Sequence, residues 1–232
     1  HQYLLASSRW RPRVEDIEEL TDMDWSDSWR GAFRIELRAQ AIGLAHRGWP
    51  VLPGTYPAGS QWAGGSELRH DGPSPVQDDW ALRVGATAEE VAEWWSGDAY
   101  NVLVATGTVL DALEVGTDLG RRAAAVLRSA GQPVPIAATP TGRWLFLTAP
   151  GQTLPRVLTD NDDIVLHGAG SWIPLPPTAY AHGIVHWRVR PEVCGWELPA
   201  PHVVQDALVR AVAEPVELTA APRLVGADRA VA

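Results

Sequence analysis

The chain has 232 residues, 46% of them hydrophobic, enough to bury one full core with tails, and no run of about 18 apolar residues predicts a membrane span. Its formal charge of −9 makes it a poor general binder of phosphate backbones, and all 19 basic residues are arginines, which excludes a Walker phosphate loop and lysine-based covalent chemistry. The single cysteine, Cys194, excludes an intrachain disulfide and a cysteine zinc cluster and suits a reducing cytoplasm.

Residues 1–28 read as a leader, basic at Arg9, Arg11 and Arg13 and then acidic, with a short surface helix around Glu15–Leu20. His1-Gln2-Tyr3-Leu4-Leu5 shows no basic region ahead of an apolar stretch and no small-residue cleavage site, so no secretory leader is expected. From Ser28 to Arg47, Ile35, Ala39, Ile42 and Ala45 recur at helical spacing; Gly48 stops the helix and Trp49–Leu52 begins a strand. Gly, Pro and Ser between Pro53 and Pro75 predict a long loop. Thr87-Ala88-Glu89-Glu90 is a capping box that opens a helix through Trp94-Trp95, and Asn101–Thr106 follows as a buried strand.

The stripe Leu119, Ala123, Val126, Leu127 and Ala130 predicts the next helix, closed by Gly131. Short strands are expected at Ile136–Ala138, Arg143–Thr148, Ile164–Leu166, Ser171–Leu175 and Ile184–Val189. A C-terminal helix is placed within 199–218, from about His202 to Ala213, and 219–232 lack a sustained pattern and read as a mobile tail. Helix–strand units followed by a strand-rich half predict an α/β (α+β) domain over 29–198, built on a mixed, largely antiparallel sheet flanked by helices.

Four blocks in one order carry more than this pattern does: Gly48–Pro53, Trp94-Trp95 with Asn101–Gly107, Ala138–Phe146, and His167–Thr178. Together they resemble the primase–polymerase (Prim-Pol) domain of the archaeo-eukaryotic primase superfamily, over about residues 32–198. The resemblance implies catalysis by two divalent ions held by an Asp-x-Asp pair on one strand, a third acid on a later strand, and a histidine at the nucleotide phosphates. Hard cations demand such clustered oxygen ligands.

Each of these features is altered in this chain. Counted from Gly107, the acid pair falls at Gly116 and Asp118, leaving Asp118, Glu114 and Asp111 as vestigial catalytic candidates; Asp118 also suits the cap of the next helix. Trp144 stands where the family would place histidine. Arg143 beside it is expected to face the other side of the strand. The third acid falls at Val165, and the neighbouring Asp162 and Asp163 read as turn residues beside Asn161. His167 is the best remaining phosphate-facing candidate, so Arg143, Trp144 and His167 form the candidate nucleotide-binding set.

Three coincident losses imply a domain without metal-dependent nucleotidyl transfer, serving nucleotide or nucleic-acid binding or regulation. No metal or other cofactor is expected, and Mg²⁺ or Mn²⁺ would be needed only by the alternative, an active DNA primase/polymerase using Asp111, Glu114, Asp118 or Asp163. Partners on these readings are a nucleotide or DNA, bound weakly, or a protein, if the scaffold serves as an interaction module; no membrane is expected. Two carboxylates converging on the cleft would favour the enzyme. A cleft filled by Trp144 and Val165 would favour the interaction module, and an open one rimmed by Arg143, His167 and other arginines would favour nucleotide binding. His182-x-x-x-His186 has the spacing of metal ligands on a helix, but Gly183, Ile184 and Val185 argue for a turn and strand.

Overall fold

Helix α1 (Val14–His46) runs without interruption through the expected boundary at residue 28. The computed structural model describes residues 14–65 and 72–214, with side chains from residue 30 onward, so the basic part of the leader and the expected tail lie outside the described residues. The helix buries Leu37, Ala41 and Leu44, while Ile35 is 72% exposed. The buried stripe is thus not the one expected, because both sets recur at helical spacing and only the packing of α1 on its neighbours selects between them. Gly48, at φ 77°, closes the helix as Gly48 N–H and Trp49 N–H donate to the carbonyls of Ala45 and Leu44.

Strand β1 (Val51–Gly54) pairs antiparallel with β4 (Asn101–Ala105), and β4 pairs antiparallel with β9 (Trp172–Pro174), giving a three-stranded sheet. The expected loop 53–75 contains a hairpin of β2 (Tyr56–Ala58) and β3 (Gln61–Ala63). Helix α2 (Ala88–Trp94) opens on the predicted capping box, with Thr87 Oγ1 accepting from Glu90 N–H and the Glu90 carboxylate accepting from Thr87 N–H.

A second, five-stranded sheet has the order β12-β6-β7-β5-β8. It comprises β5 (Asp111–Gly116), β6 (Ile136–Ala138), β7 (Arg143–Thr148), β8 (Val165–His167) and β12 (His186–Val189), all paired antiparallel. Strand β10 (Ala179–Tyr180) and β11 (Gly183–Ile184) form a small hairpin. The α+β class therefore holds, with the sheet divided in two and every strand pair among the described residues antiparallel. Strand β5 is the central element that periodicity did not predict, beside the β2–β3 hairpin and other short pieces. Its two acids are held differently, Glu114 by Arg143 and His167 on the flanking strands and Asp111 by the N–H groups of Gly151 and Gln152 in the loop after β7.

One face of the five-stranded sheet, with Leu113, Val115, Trp144 and Phe146, packs on helices α3 (Thr117–Ser129) and α5 (Pro201–Ala213), and on the short helix α4 (Arg156–Thr159) through Leu158. The opposite face, with Ala112, Ala137, Leu145 and Leu147, shares an apolar cluster with α1, α2 and the three-stranded sheet. Each buried strand thus sends alternate side chains to two separate cores.

The family-like blocks turn out to be contact points. Buried Asn101 donates to the carbonyls of Thr55 and Ala179 and accepts from Ala179 N–H; Thr178 Oγ1 donates to Val102 O and accepts from Val102 N–H. These bonds hold the Pro176-Pro177-Thr178 stretch against β4. At Gly107, φ 98°, an added Cβ would lie 2.3 Å from the Cα of Ala169, so the turn after β4 and the Gly168-Ala169 turn touch backbone to backbone.

Candidate functional site

A cleft of about 540 Å³ opens beside the two sheets, and Glu114 and Arg143 supply its charged lining, with His167 beside them. Side chains of β5 alternate between faces, so Ala112, Glu114 and Gly116 share the cleft side and Asp111, Leu113 and Val115 the other. Arg143 of β7 stands directly opposite Gly116, and His167 of β8 directly opposite Ala112. Both are therefore diagonal neighbours of Glu114, one on each flanking strand, a spacing that long side chains can bridge.

They do bridge it. Arg143 Nε donates to Glu114 Oε1 at 2.7 Å, and Arg143 Nη1 to Asp163 Oδ1 at 2.6 Å. Nη2 completes the fork on the carbonyl oxygens of Asp163 at 2.9 Å and Glu114 at 3.5 Å. Asp163 comes from the turn before β8, where its own N–H donates to Asn161 Oδ1. Its carboxylate also accepts the N–H of Gly116 at 3.1 Å to each oxygen. A Cβ on Gly116 would meet both of those oxygens at 2.8 Å, so the Asp163 carboxylate fills the space a side chain at 116 would need.

On the other flank, His167 Nε2 lies 2.8 Å from Glu114 Oε2, and Nδ1 lies 2.9 Å from Ser171 Oγ. Burial pushes the Glu114 carboxyl up, but the hydrogen bonds and charges of His167 and Arg143 outweigh it and hold the group below its ordinary value. Burial works against the Arg143 charge as well, yet the two carboxylates raise its pKa further. The rest of the cleft is amphipathic, with Trp172, Tyr180, Leu145 and Pro174 beside the hydroxyls of Thr139 and Thr141. Burial, followed by the Glu114 charge, pushes the Tyr180 phenol up to about 12.

The remaining candidates stand elsewhere. Asp118 is in the first turn of α3, its side chain 94% exposed and 3.8 Å from Arg121, and the residue at the N-cap is Gly116. Gly116 and Asp118 are therefore not alternate residues of one strand, since Asp118 already lies in α3. The strand ends at Gly116, and the alternate positions facing the cleft are Glu114 and Gly116, one carboxylate and one bare backbone. Asp111 is buried on the opposite face, where Oδ2 accepts from the N–H groups of Gly151 and Gln152. Asp111 and Glu114 thus face opposite sides of β5.

Trp144 and Arg143 also lie on opposite faces, but it is Arg143 that faces the cleft. Trp144 is buried on the helix side, its ring against Gly120 of α3 and the Arg188 guanidinium 5.0 Å from the ring centroid, so it does not line the cleft. Val165 is 41% exposed and supplies no acid. Asp163, read as a turn residue, is in a turn and is also part of the charged cluster. Its signal in the sequence was only the acidic pair Asp162-Asp163 ahead of a strand.

The donor set does not fit a divalent ion. The two carboxylates that converge are already joined by a guanidinium, and no group of three His, Cys, Asp or Glu side chains that could hold a metal occurs among the described residues. No helix among them is long and apolar enough to cross a membrane.

The family model for the N-terminal domain of bifunctional DNA primase/polymerases, Prim-Pol, matches residues 41–202. No curated protein matches the chain. The match spans all four blocks, both sheets and the cleft between Glu114 and Trp172, and the chain belongs to the Prim-Pol family.

Proposed function

We propose that this Prim-Pol domain binds a nucleotide or a nucleic-acid end in its cleft and has lost metal-dependent nucleotidyl transfer. The observation that carries the reading is the Arg143 guanidinium lying between Glu114 and Asp163. Two-metal chemistry needs carboxylates free to share divalent ions. Here each carboxylate already has a cationic partner, and position 116 offers no side chain.

The same saturation shapes the ligand. Every nitrogen of the Arg143 fork is engaged, and both ring nitrogens of His167 have partners, so the described residues lining the cleft leave no spare cation for a triphosphate. Trp172 and Tyr180 instead offer aromatic surface on which a base can stack. Affinity is then modest and depends on the base more than on the number of phosphates. A reducing cytoplasm is the compartment proposed.

The test pairs de novo priming and primer extension, in Mg²⁺ or Mn²⁺, with nucleotide titrations in a chelator followed by tryptophan fluorescence. No product, together with binding that survives the chelator, is the expected result. Metal-dependent product that vanishes in Glu114→Gln would instead establish the alternative, an active polymerase drawing on Glu114 and Asp163.

A further inference from the structure

We propose that helix α1 pairs antiparallel with the α1 of a second copy of this chain, through the side that carries Ala32, Ile35 and Ala39. The packed side of α1 is formed by Leu37, Ala41 and Leu44. At about 100° per residue, Ala32, Ile35 and Ala39 fall on the opposite side. All three are exposed, Ile35 at 72%, and Ile35 stands outside the apolar clusters of the described residues. Gly31 and Gly43 flank this side, and a Cβ on either would meet nothing within 4 Å, so a second helix can approach closely.

Charge selects the partner. Residues 14–29 hold seven acids and no base, whereas 30–46 hold Arg30, Arg34 and Arg38 against one acid, Glu36. The helix dipole favours acids in the first turn only, yet these extend to Asp27. Like charges four apart, as at Glu15 and Glu19 or Glu18 and Asp22, destabilise a helix that stands alone. Antiparallel pairing with an identical helix sets the acidic half of each beside the basic half of the other, whereas parallel pairing sets acids on acids. Arg34 and Arg38 donate to the carbonyls of Gly97 and Ala92, neutral acceptors that leave both charges uncompensated among the described residues. At about 1.5 Å per residue the helix is about 50 Å long, enough for both contacts along one pair. The inference does not rest on what the cleft binds.

The test is sedimentation equilibrium of the full chain, with circular dichroism to confirm that each variant is folded. The wild type is expected to dimerise below about 100 µM, and raising the salt from about 0.05 to about 0.5 M should weaken the dimer at least about threefold. Ile35→Asp should weaken it about tenfold or more. Ala32→Glu, on the same side and compatible with a helix, stands in if Ile35→Asp does not fold. Gln40→Glu adds the same charge as Ala32→Glu at an exposed position away from that side, and should leave the dimer as tight as wild type. A chain that stays monomeric at about 100 µM overturns the proposal and leaves this side to a different partner. A dimer unchanged in folded Ile35→Asp and Ala32→Glu, or weakened as much by Gln40→Glu, overturns the assigned side. A dimer that salt leaves unchanged or tightens, as pairing of acids on acids would, overturns the antiparallel arrangement.

Discussion

Replacing Gly116 with alanine isolates the contact that closes the charged cluster. The backbone there has φ −64° and ψ 157°, open to any residue, so the change carries no conformational strain. On conformational grounds alone alanine should stabilise by about 0.4–1 kcal/mol, since it restricts the unfolded chain. The new Cβ, however, would stand 2.8 Å from both Asp163 carboxylate oxygens and 3.2 Å from Cγ, so the carboxylate must leave. Its departure removes a charge-assisted bond from Gly116 N–H, worth about 1.5 kcal/mol or more. It also loosens the pair with Arg143, which contributes at most about 1 kcal/mol because the Asp163 side chain is 44% exposed.

The net expectation is a loss of about 1–2 kcal/mol, or about 2–8 °C in Tm for a chain of this size. Thermal unfolding followed by circular dichroism measures it, and the decisive comparison is the same substitution in an Asp163→Ala background. There the alanine has nothing to displace and should be neutral or stabilising by up to about 1 kcal/mol. An equal loss in both backgrounds would refute the reasoning.

Gly107→Ala should be far more damaging, by about 3 kcal/mol or more in chemical denaturation, because a left-handed backbone and an overlap with the Ala169 backbone act together. Gly120→Ala gains helix propensity but drives a Cβ to 2.9 Å from the Trp144 ring. Overpacking of about 1–3 kcal/mol should outweigh the gain of about 1, with an altered near-ultraviolet dichroism of the tryptophans. The folded-state pKa of Glu114 lies below its ordinary 4.5, so its stabilisation is complete above that pH and is lost as the pH falls beneath it; Glu114→Gln should flatten this acid limb of a stability–pH curve. Tyr180, raised to about 12 from 10.0, stabilises fully below pH 10 and loses that contribution as the pH climbs towards 12. Glu114→Gln should lower its midpoint in an ultraviolet titration, and an unmoved midpoint would place the cause in burial alone.

Local chemistry was legible along most of this chain. The capping box at Thr87, the stripe through α3 from Leu119 to Leu127, and β6 and β7 to the residue all follow from spacing and cap residues, because those rules act over a few neighbours. The order of the four blocks carried the family, and the chemistry of Gly107 and Pro176–Thr178 as contact points explains why such blocks are specific. Which face of a strand meets the cleft was a different matter. Slipping one residue along β5 or β7 exchanges the two faces, and only the register of Gly116 with Arg143 sends the arginine into the cleft and Trp144 into the core. The Asp163 carboxylate, 47 residues along the chain from Gly116, meets that register through a turn whose residues announce only a turn. Composition determined an acidic, lysine-free chain with enough apolar residues to bury. The antiparallel register, which no local pattern encodes, decided that these residues divide between two cores and leave a cleft holding its own cation.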